Sequence, residues 1–278
     1  YALDNANLTA AVNDDGATPP QSSREELLQH IEGSDEQKQE LEALCAEFSD
    51  CFSTQLRMEA ANLPPMELQV AEDWESKENR RPPRPQGPKK EQEVDAQTDK
   101  MAKANVIRLS TASAHSQVLL TPKPNGTWRF CVDYRRLNKA TKGENWPIPN
   151  IQRMLRDIGQ KKPKYFGVLD LTKGYYQAPL SESSKQYTAF ITAKALWEWN
   201  RVPMGLMGAP SYFQRVMTTV VLAGIMYNSC EVYLDDIIVF GETWDEYMAN
   251  LRKVLMRLRQ YKVTANPEKT KLGLTQVE

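Results

Sequence analysis

Tyr233-Leu234-Asp235-Asp236 constrains this chain more than any other four residues. It stands between two short β-rich runs, Glu231-Val232 before it and Ile237-Ile238-Val239-Phe240 after it. Two adjacent carboxylates at the tip of a tight hairpin cannot both point into a core, where they would repel each other. A hard divalent cation relieves that conflict, because it takes carboxylate oxygens as ligands. The same arrangement is half of a site for metal-assisted phosphoryl transfer. An Asp-Asp pair is also a common turn dipeptide, so the metal reading needs a third carboxylate from elsewhere in the chain.

A candidate is Asp170. The run Tyr165-Phe166-Gly167-Val168-Leu169-Asp170-Leu171 is apolar, partly β-branched and ends in the acid, as a buried strand with Asp170 at its exit. A carboxylate there is costly unless it is paired or metal-bound. A helix N-cap or a salt bridge to a lysine would also account for it.

Composition narrows the classes. The chain has 278 residues, 41% hydrophobic and 26% charged, enough for one large or two modest domains. No apolar run reaches the roughly 18 residues of a membrane span, and no signal-peptide pattern opens the chain. Tyr1 at the first position implies processing or a fragment boundary. The four cysteines lack metal-ligand spacing, and His30 and His115 are the two histidines, so a structural zinc site is not expected. Reduced thiols point to an intracellular setting: cytoplasm, a virus-like particle, or the nucleus. The net charge of −1 hides an asymmetry. Residues 1–76 carry 17 acids and 3 bases, whereas the remainder carries 32 bases and 19 acids. A basic surface attracts nucleic-acid phosphates, and an acidic arm does not.

Along the chain, residues 1–33 read as a disordered or linker segment and 34–75 as an acidic helical linker. Within the latter, Ser34 to Cys51 reads as a helix with a Ser34/Gln37 capping box and a Leu41, Leu44, Cys45, Phe48 stripe. Residues 76–90 read as extended and proline-rich. Residues 91–105 predict a helix with Val94, Met101 and Val106 inward. Ser116–Thr121 and Thr127–Tyr134 predict a hairpin around Asn125-Gly126, flanked by Lys123 and Arg129. Thr188–Thr192 and Trp197–Val202 predict a further strand pair. Helices are predicted over Pro210–Met226 and Trp244–Tyr261, the latter with Leu251, Leu255 and Leu258 on one face, and a last strand over Lys262–Ala265. Helices on one face of a mainly antiparallel sheet make an α+β domain.

The order of these motifs resembles the reverse transcriptases of gypsy-type long-terminal-repeat retrotransposons and retroviruses. The matching segments are Trp128 to Asn138, then Leu169-Asp170-Leu171 with Gly174-Tyr175, then Pro203-Met204-Gly205-Leu206 with Ala209-Pro210 and Phe213-Gln214, and finally Tyr233 to Asp236. The resemblance covers roughly residues 60–278 and implies a polymerase palm and fingers, with the thumb absent. It places fingers at 76–143 (opening on a basic extended arm) and 179–209, and palm at 144–178 and 210–278.

The resemblance implies an RNA-directed DNA polymerase, a nucleotidyltransferase from a polyprotein, using two Mg²⁺ ions for which Mn²⁺ can substitute. Asp170, Asp235 and Asp236 become the catalytic, metal-binding carboxylates, with the Leu171 carbonyl as a further ligand. Lys123 and Arg129 become the grip on the incoming dNTP triphosphate, and Gly174 and Tyr175 its sugar pocket, with Tyr175 excluding a ribose 2′-OH. Met204 packs at the nucleotide sugar, where the family more often carries Phe or Gln, and Lys269 matches a lysine near the leaving pyrophosphate. Gly205, Gln214 and Tyr233 are expected at the template–primer. Partners implied are an RNA or DNA template–primer and dNTPs, with no membrane, and with room for a dimer or larger assembly. The alternative is a catalytically silent polymerase fold serving as a structural subunit, with the acidic arm lying in the basic cleft as a nucleic-acid mimic.

Overall fold

A computed structural model describes residues 21–123 and 126–277. The chain opens with helices α1 (Gln21–Leu28) and α2 (Asp35–Glu47), then strand β1 (Gln69–Val70). Helix α3 (Pro88–Lys103) leads to β2 (Ile107–Leu109), β3 (Ser116–Pro122), β4 (Trp128–Asp133), α4 (Arg135–Ala140) and β5 (Thr141–Lys142). Next come α5 (Ile151–Gln160), β6 (Tyr165–Asp170), α6 (Glu182–Lys185), β7 (Phe190–Ile191) and β8 (Leu196–Trp199). Helix α7 (Ala209–Val216), β9 (Cys230–Tyr233), β10 (Asp236–Gly241), α8 (Trp244–Tyr261) and β11 (Lys271–Leu274) complete the α+β fold.

Two sheets organise these elements. A four-stranded antiparallel sheet has the order β11-β6-β10-β9. A five-stranded sheet has the order β2-β8-β7-β3-β4 and is antiparallel except for the β3–β7 pair. The first draws its strands from residues 165–170, 230–241 and 271–274, the second from 107–133 and 190–199. The chain therefore begins the five-stranded sheet, leaves to lay down β6, returns to finish it, and leaves again.

Alternation along β6 and β10 decides which face of the four-stranded sheet does what. Gly167, Leu169, Ile237 and Val239 are buried, and Gly167 lies under the Tyr247 ring of α8. Helix α8 is capped by Thr243, whose hydroxyl accepts from the Glu246 N–H, and buries Leu251, Leu255 and Leu258 as predicted. The opposite face carries Phe166, Val168 and Asp170 from β6, and Asp236 and Ile238 from β10. Helix α5 covers part of it, where Met154 and Ile158 pack with Phe240.

Several expectations change. The segment 34–75 is not a linker. Helix α2 has its Ser34/Gln37 capping box, and Leu41, Leu44, Cys45 and Phe48 are buried in the main core. Beyond it, Phe52 bridges Ala265, and the Ala61 N–H donates to the Gln177 carbonyl. Residues 21–33 are also partly structured, since Leu27 and Ile31 are buried. Helix α3 starts three residues before the predicted point, because Pro88 occupies its first turn, where a missing N–H costs nothing. The helix predicted to reach Met226 ends at Val216 and continues only as a π-helical turn over Met217–Val221, where Thr218, Thr219, Val220 and Val221 are all β-branched. The predicted strand at Lys262–Ala265 is reduced to bridges at Ala265, because Lys262 takes a left-handed φ of 54° to cap α8. The last strand is β11, which escaped notice because its Lys271-Leu272-Gly273-Leu274 pattern is short and broken by glycine. Asn125, of the predicted Asn125-Gly126 turn, lies outside the described residues. Among the described residues no helix is long and apolar enough to cross a membrane.

Candidate active site

Strand pairing brings the three carboxylates together. In the antiparallel β6–β10 register, Asp236 sits directly opposite Asp170. Their side chains share the face away from α8, and like charges in that relation destabilise each other. The hairpin β9–β10 closes with Tyr233 paired to Asp236, so Leu234 and Asp235 form a two-residue loop. The Leu171 N–H donates to the Asp235 carbonyl at 2.8 Å, which ties that loop to the exit of β6. Asp235 also packs over Gly174, where a β-carbon would come within 3.0 Å of the Asp235 Cβ. A side chain there would press on Asp235.

Electrostatics follow from the crowding. Burial pushes the Asp236 carboxyl up to about 6, with repulsion from Asp235 and Asp170 adding to it and Lys269 opposing. Burial also raises Asp170, opposed by Lys269 and reinforced by Asp235. Lys269 Nζ stands 3.5 Å from Asp170 Oδ2. One lysine thus offsets part of the surplus negative charge, and a cation would relieve the rest.

Among the described residues, no group of three or more His, Cys, Asp or Glu is drawn together tightly enough to hold a metal with protein ligands alone. Mg²⁺ takes oxygen ligands and keeps waters and substrate phosphates among them. The donors present are all hard oxygens. The Leu171 carbonyl accepts a 3.2 Å bond from the Gly174 N–H and retains a second lone pair.

The remaining expected residues divide. Gly174 and Tyr175 lie in a 3₁₀ turn just after β6. Tyr175 is half-buried and set edge-on against Phe213 at 5.4 Å, so its ring is both packed and partly open. Met204 is half-buried and Gly205 is exposed with a φ of +92°, a conformation that favours glycine. Asn138 of α4 holds this loop, donating to the Gly205 carbonyl at 2.8 Å and accepting from the Met207 N–H at 3.0 Å. Lys123 and exposed Arg129 flank the β3–β4 turn, on the other sheet from the carboxylates. Tyr233 is half-buried against the α5 cluster.

Gln214 does not fit a template–primer contact. It is 1% exposed, and its amide is engaged within the protein, with the Leu234 N–H, the Val232 carbonyl and Thr218 Oγ1. Sequence reasoning also missed Gln177, which is buried beside the β6 exit. Its Nε2 donates to the Thr172 and Thr264 carbonyls at 2.8 Å each, and its Oε1 accepts from the Thr264 N–H at 2.8 Å. A glutamine directly after Gly174-Tyr175-Tyr176, at the mouth of a buried strand, was the available signal. Among the described residues of the acidic arm, charged groups meet helix α8, while Ser53 lies beside the β6 exit, its carbonyl accepting from Thr172 Oγ1 at 2.6 Å. Glu47 and Asp50 pair with Arg252 and Arg259 of α8, and Glu40 accepts from the Trp244 indole.

The family described as reverse transcriptase (RNA-dependent DNA polymerase) matches residues 121–278, more than half of the chain. The chain belongs to the reverse transcriptase family. Within that family it is 33% identical over 248 residues to the retrovirus-related Pol polyprotein from transposon 412 of Drosophila melanogaster, covering 86% of this chain and 20% of that one. It is 40% identical over 191 residues to the Pol polyprotein from transposon opus of the same organism, covering 67% of this chain and 19% of that one. The chain therefore spans about a fifth of the length of these relatives. Among solved structures, the protease–reverse transcriptase of prototype foamy virus (CSH mutant) superposes with a TM-score of 0.77 at 25% identity, over 92% of this chain and 33% of that one. This reverse transcriptase domain thus shares the fold of a retroviral enzyme.

Proposed function

We propose that this domain carries out RNA-directed DNA synthesis, adding dNTPs to the 3′ end of a primer on an RNA or DNA template. The observation that carries the reading is the register that sets Asp236 opposite Asp170, with Asp235 fastened beside them by the Leu171 N–H. Asp170, Asp235 and the Leu171 carbonyl would hold divalent cations, with Asp236 in a supporting place. When bound, two Mg²⁺ ions neutralise charge on the attacking 3′-oxygen and on the leaving pyrophosphate.

The chain's own residues have separable tasks. Gly174 leaves open the space over Asp235, and Tyr175, steadied by Phe213, borders the sugar of the incoming nucleotide. Arg129, with its planar fork, and Lys123, a point charge, bind the triphosphate from the fingers hairpin. Lys269 reaches the same pocket from the loop before β11 and would meet the departing pyrophosphate. Phosphoryl transfer requires little covalent help from protein, so these positioning and neutralising roles carry the catalysis. The 3′-oxygen–phosphorus bond forms as the bond to pyrophosphate breaks.

The test is extension of a DNA primer on an RNA template with Mg²⁺ or Mn²⁺, beside Asp235→Asn. Extension by the wild-type chain, reduced at least about a hundredfold in the variant, is expected if Asp235 positions the reacting groups. Wild-type extension no greater than that of the variant would overturn the assignment and favour a structural subunit.

A further inference from the structure

The loop that presents Asp235 is held in an uncommon backbone conformation. Leu234 has a φ of +55°, and a side chain there costs roughly 1 kcal/mol relative to the right-handed region. Such a residue persists only where its surroundings fix it. Gln214 is the side chain that meets it. Its Oε1 accepts from the Leu234 N–H at 2.7 Å, and its Nε2 donates to the Val232 carbonyl at 2.9 Å and to Thr218 Oγ1 at 3.3 Å. The amide thus grips the hairpin on both sides of Tyr233.

Gln214 is itself rigidly mounted. It is 1% exposed on α7, next to Phe213, against which Tyr175 packs, and to Arg215, which pairs with Glu144. Tyr212 Oη donates to the Pro64 carbonyl at 2.5 Å. On the far side of the loop, the Leu171 N–H holds the Asp235 carbonyl. Leu234 and Asp235 are therefore pinned from opposite directions, by a side chain of α7 and by the backbone at the β6 exit.

We propose that Gln214 is a positioning residue for Asp235, which sets cation affinity at the carboxylates by holding Leu234 in its left-handed turn without touching substrate. This rests on the polymerase reading above. Its test is direct binding of Mn²⁺ alone, followed by electron paramagnetic resonance, for the wild type, D235N, Gln214→Met, Leu234→Gly and the Q214M/L234G double variant.

Q214M keeps the length of the side chain and loses its hydrogen bonds, and should weaken Mn²⁺ about tenfold. Glycine adopts the turn without strain, so in the L234G background the same change should cost no more than about threefold. Wild-type affinity in Q214M, or equal losses in both backgrounds, would overturn the proposal. If Q214M does not melt cooperatively, Gln214→Asn replaces it, being one methylene short of the loop, with the same tenfold loss expected and wild-type affinity again decisive against. Mn²⁺ binding that D235N abolishes and Q214M leaves untouched defeats this inference alone. Wild-type binding indistinguishable from D235N defeats the polymerase reading with it.

Discussion

At the scale of single residues, buried polar groups divide into those with partners and those whose charge is penalised. Gln177 and Gln214 belong to the first kind, each with its amide engaged in three or more hydrogen bonds. Glu231 belongs to the second. It is 6% exposed on β9, and burial pushes its carboxyl up to about 7, with Lys161 opposing the shift and Asp157 of α5 adding to it. Because the folded value lies above the unfolded one, the folded state binds the proton more tightly. Its stabilising contribution is complete below about pH 4.5 and is lost as pH rises through 7. Glu231→Gln should therefore raise stability by about 1–3 kcal/mol at pH 8 and leave it nearly unchanged at pH 4.5. Urea midpoints measured at both pH values check this, and an equal gain at both would remove the titration argument.

At the scale of elements, α2 is part of the main core. Leu44 is 3% exposed in the main core, so Leu44→Ala should cost about 2–4 kcal/mol in urea unfolding followed by circular dichroism. A linker helix would lose less than about 0.5 kcal/mol. The capping box and apolar stripe of α2 were readable because both are local patterns. So was α8, whose Trp244–Tyr261 bounds match those predicted. What α2 packs against was not readable, since composition reports its acidic exposed face and not the arginines of α8 that meet it. The carboxylate pair was legible as a turn, but its register with Asp170 is a long-range pairing that no local pattern encodes. Gln214 was misassigned for a related reason: its position beside Phe213 in a family motif says nothing about whether its amide faces nucleic acid or the neighbouring hairpin.

At the scale of the whole molecule, the proposed site would draw on two sheets. The carboxylates belong to one and the Lys123/Arg129 hairpin to the other, so the nucleotide would be bound across the space between them. Arg129→Ala should then raise the KM for dNTP about tenfold or more while kcat at saturating dNTP falls much less, as read by steady-state primer extension. A fall confined to kcat would place Arg129 elsewhere. The two sheets also interleave along the chain, and the outer edge of the four-stranded sheet shows what that means in time. Residues 30–32 lie along β11, the Glu32 N–H donating to the Leu272 carbonyl at 2.9 Å and the Leu272 N–H to the His30 carbonyl at 3.1 Å. A ribosome adding about 5–20 residues per second would need some 10–50 s to travel from the first of these segments to the second. Throughout that interval the apolar stripe of α2 would be in water beside a sheet that does not yet exist. The nascent chain should therefore hold that stripe exposed until translation reaches its far partner, tempered by the charges that surround it on α2.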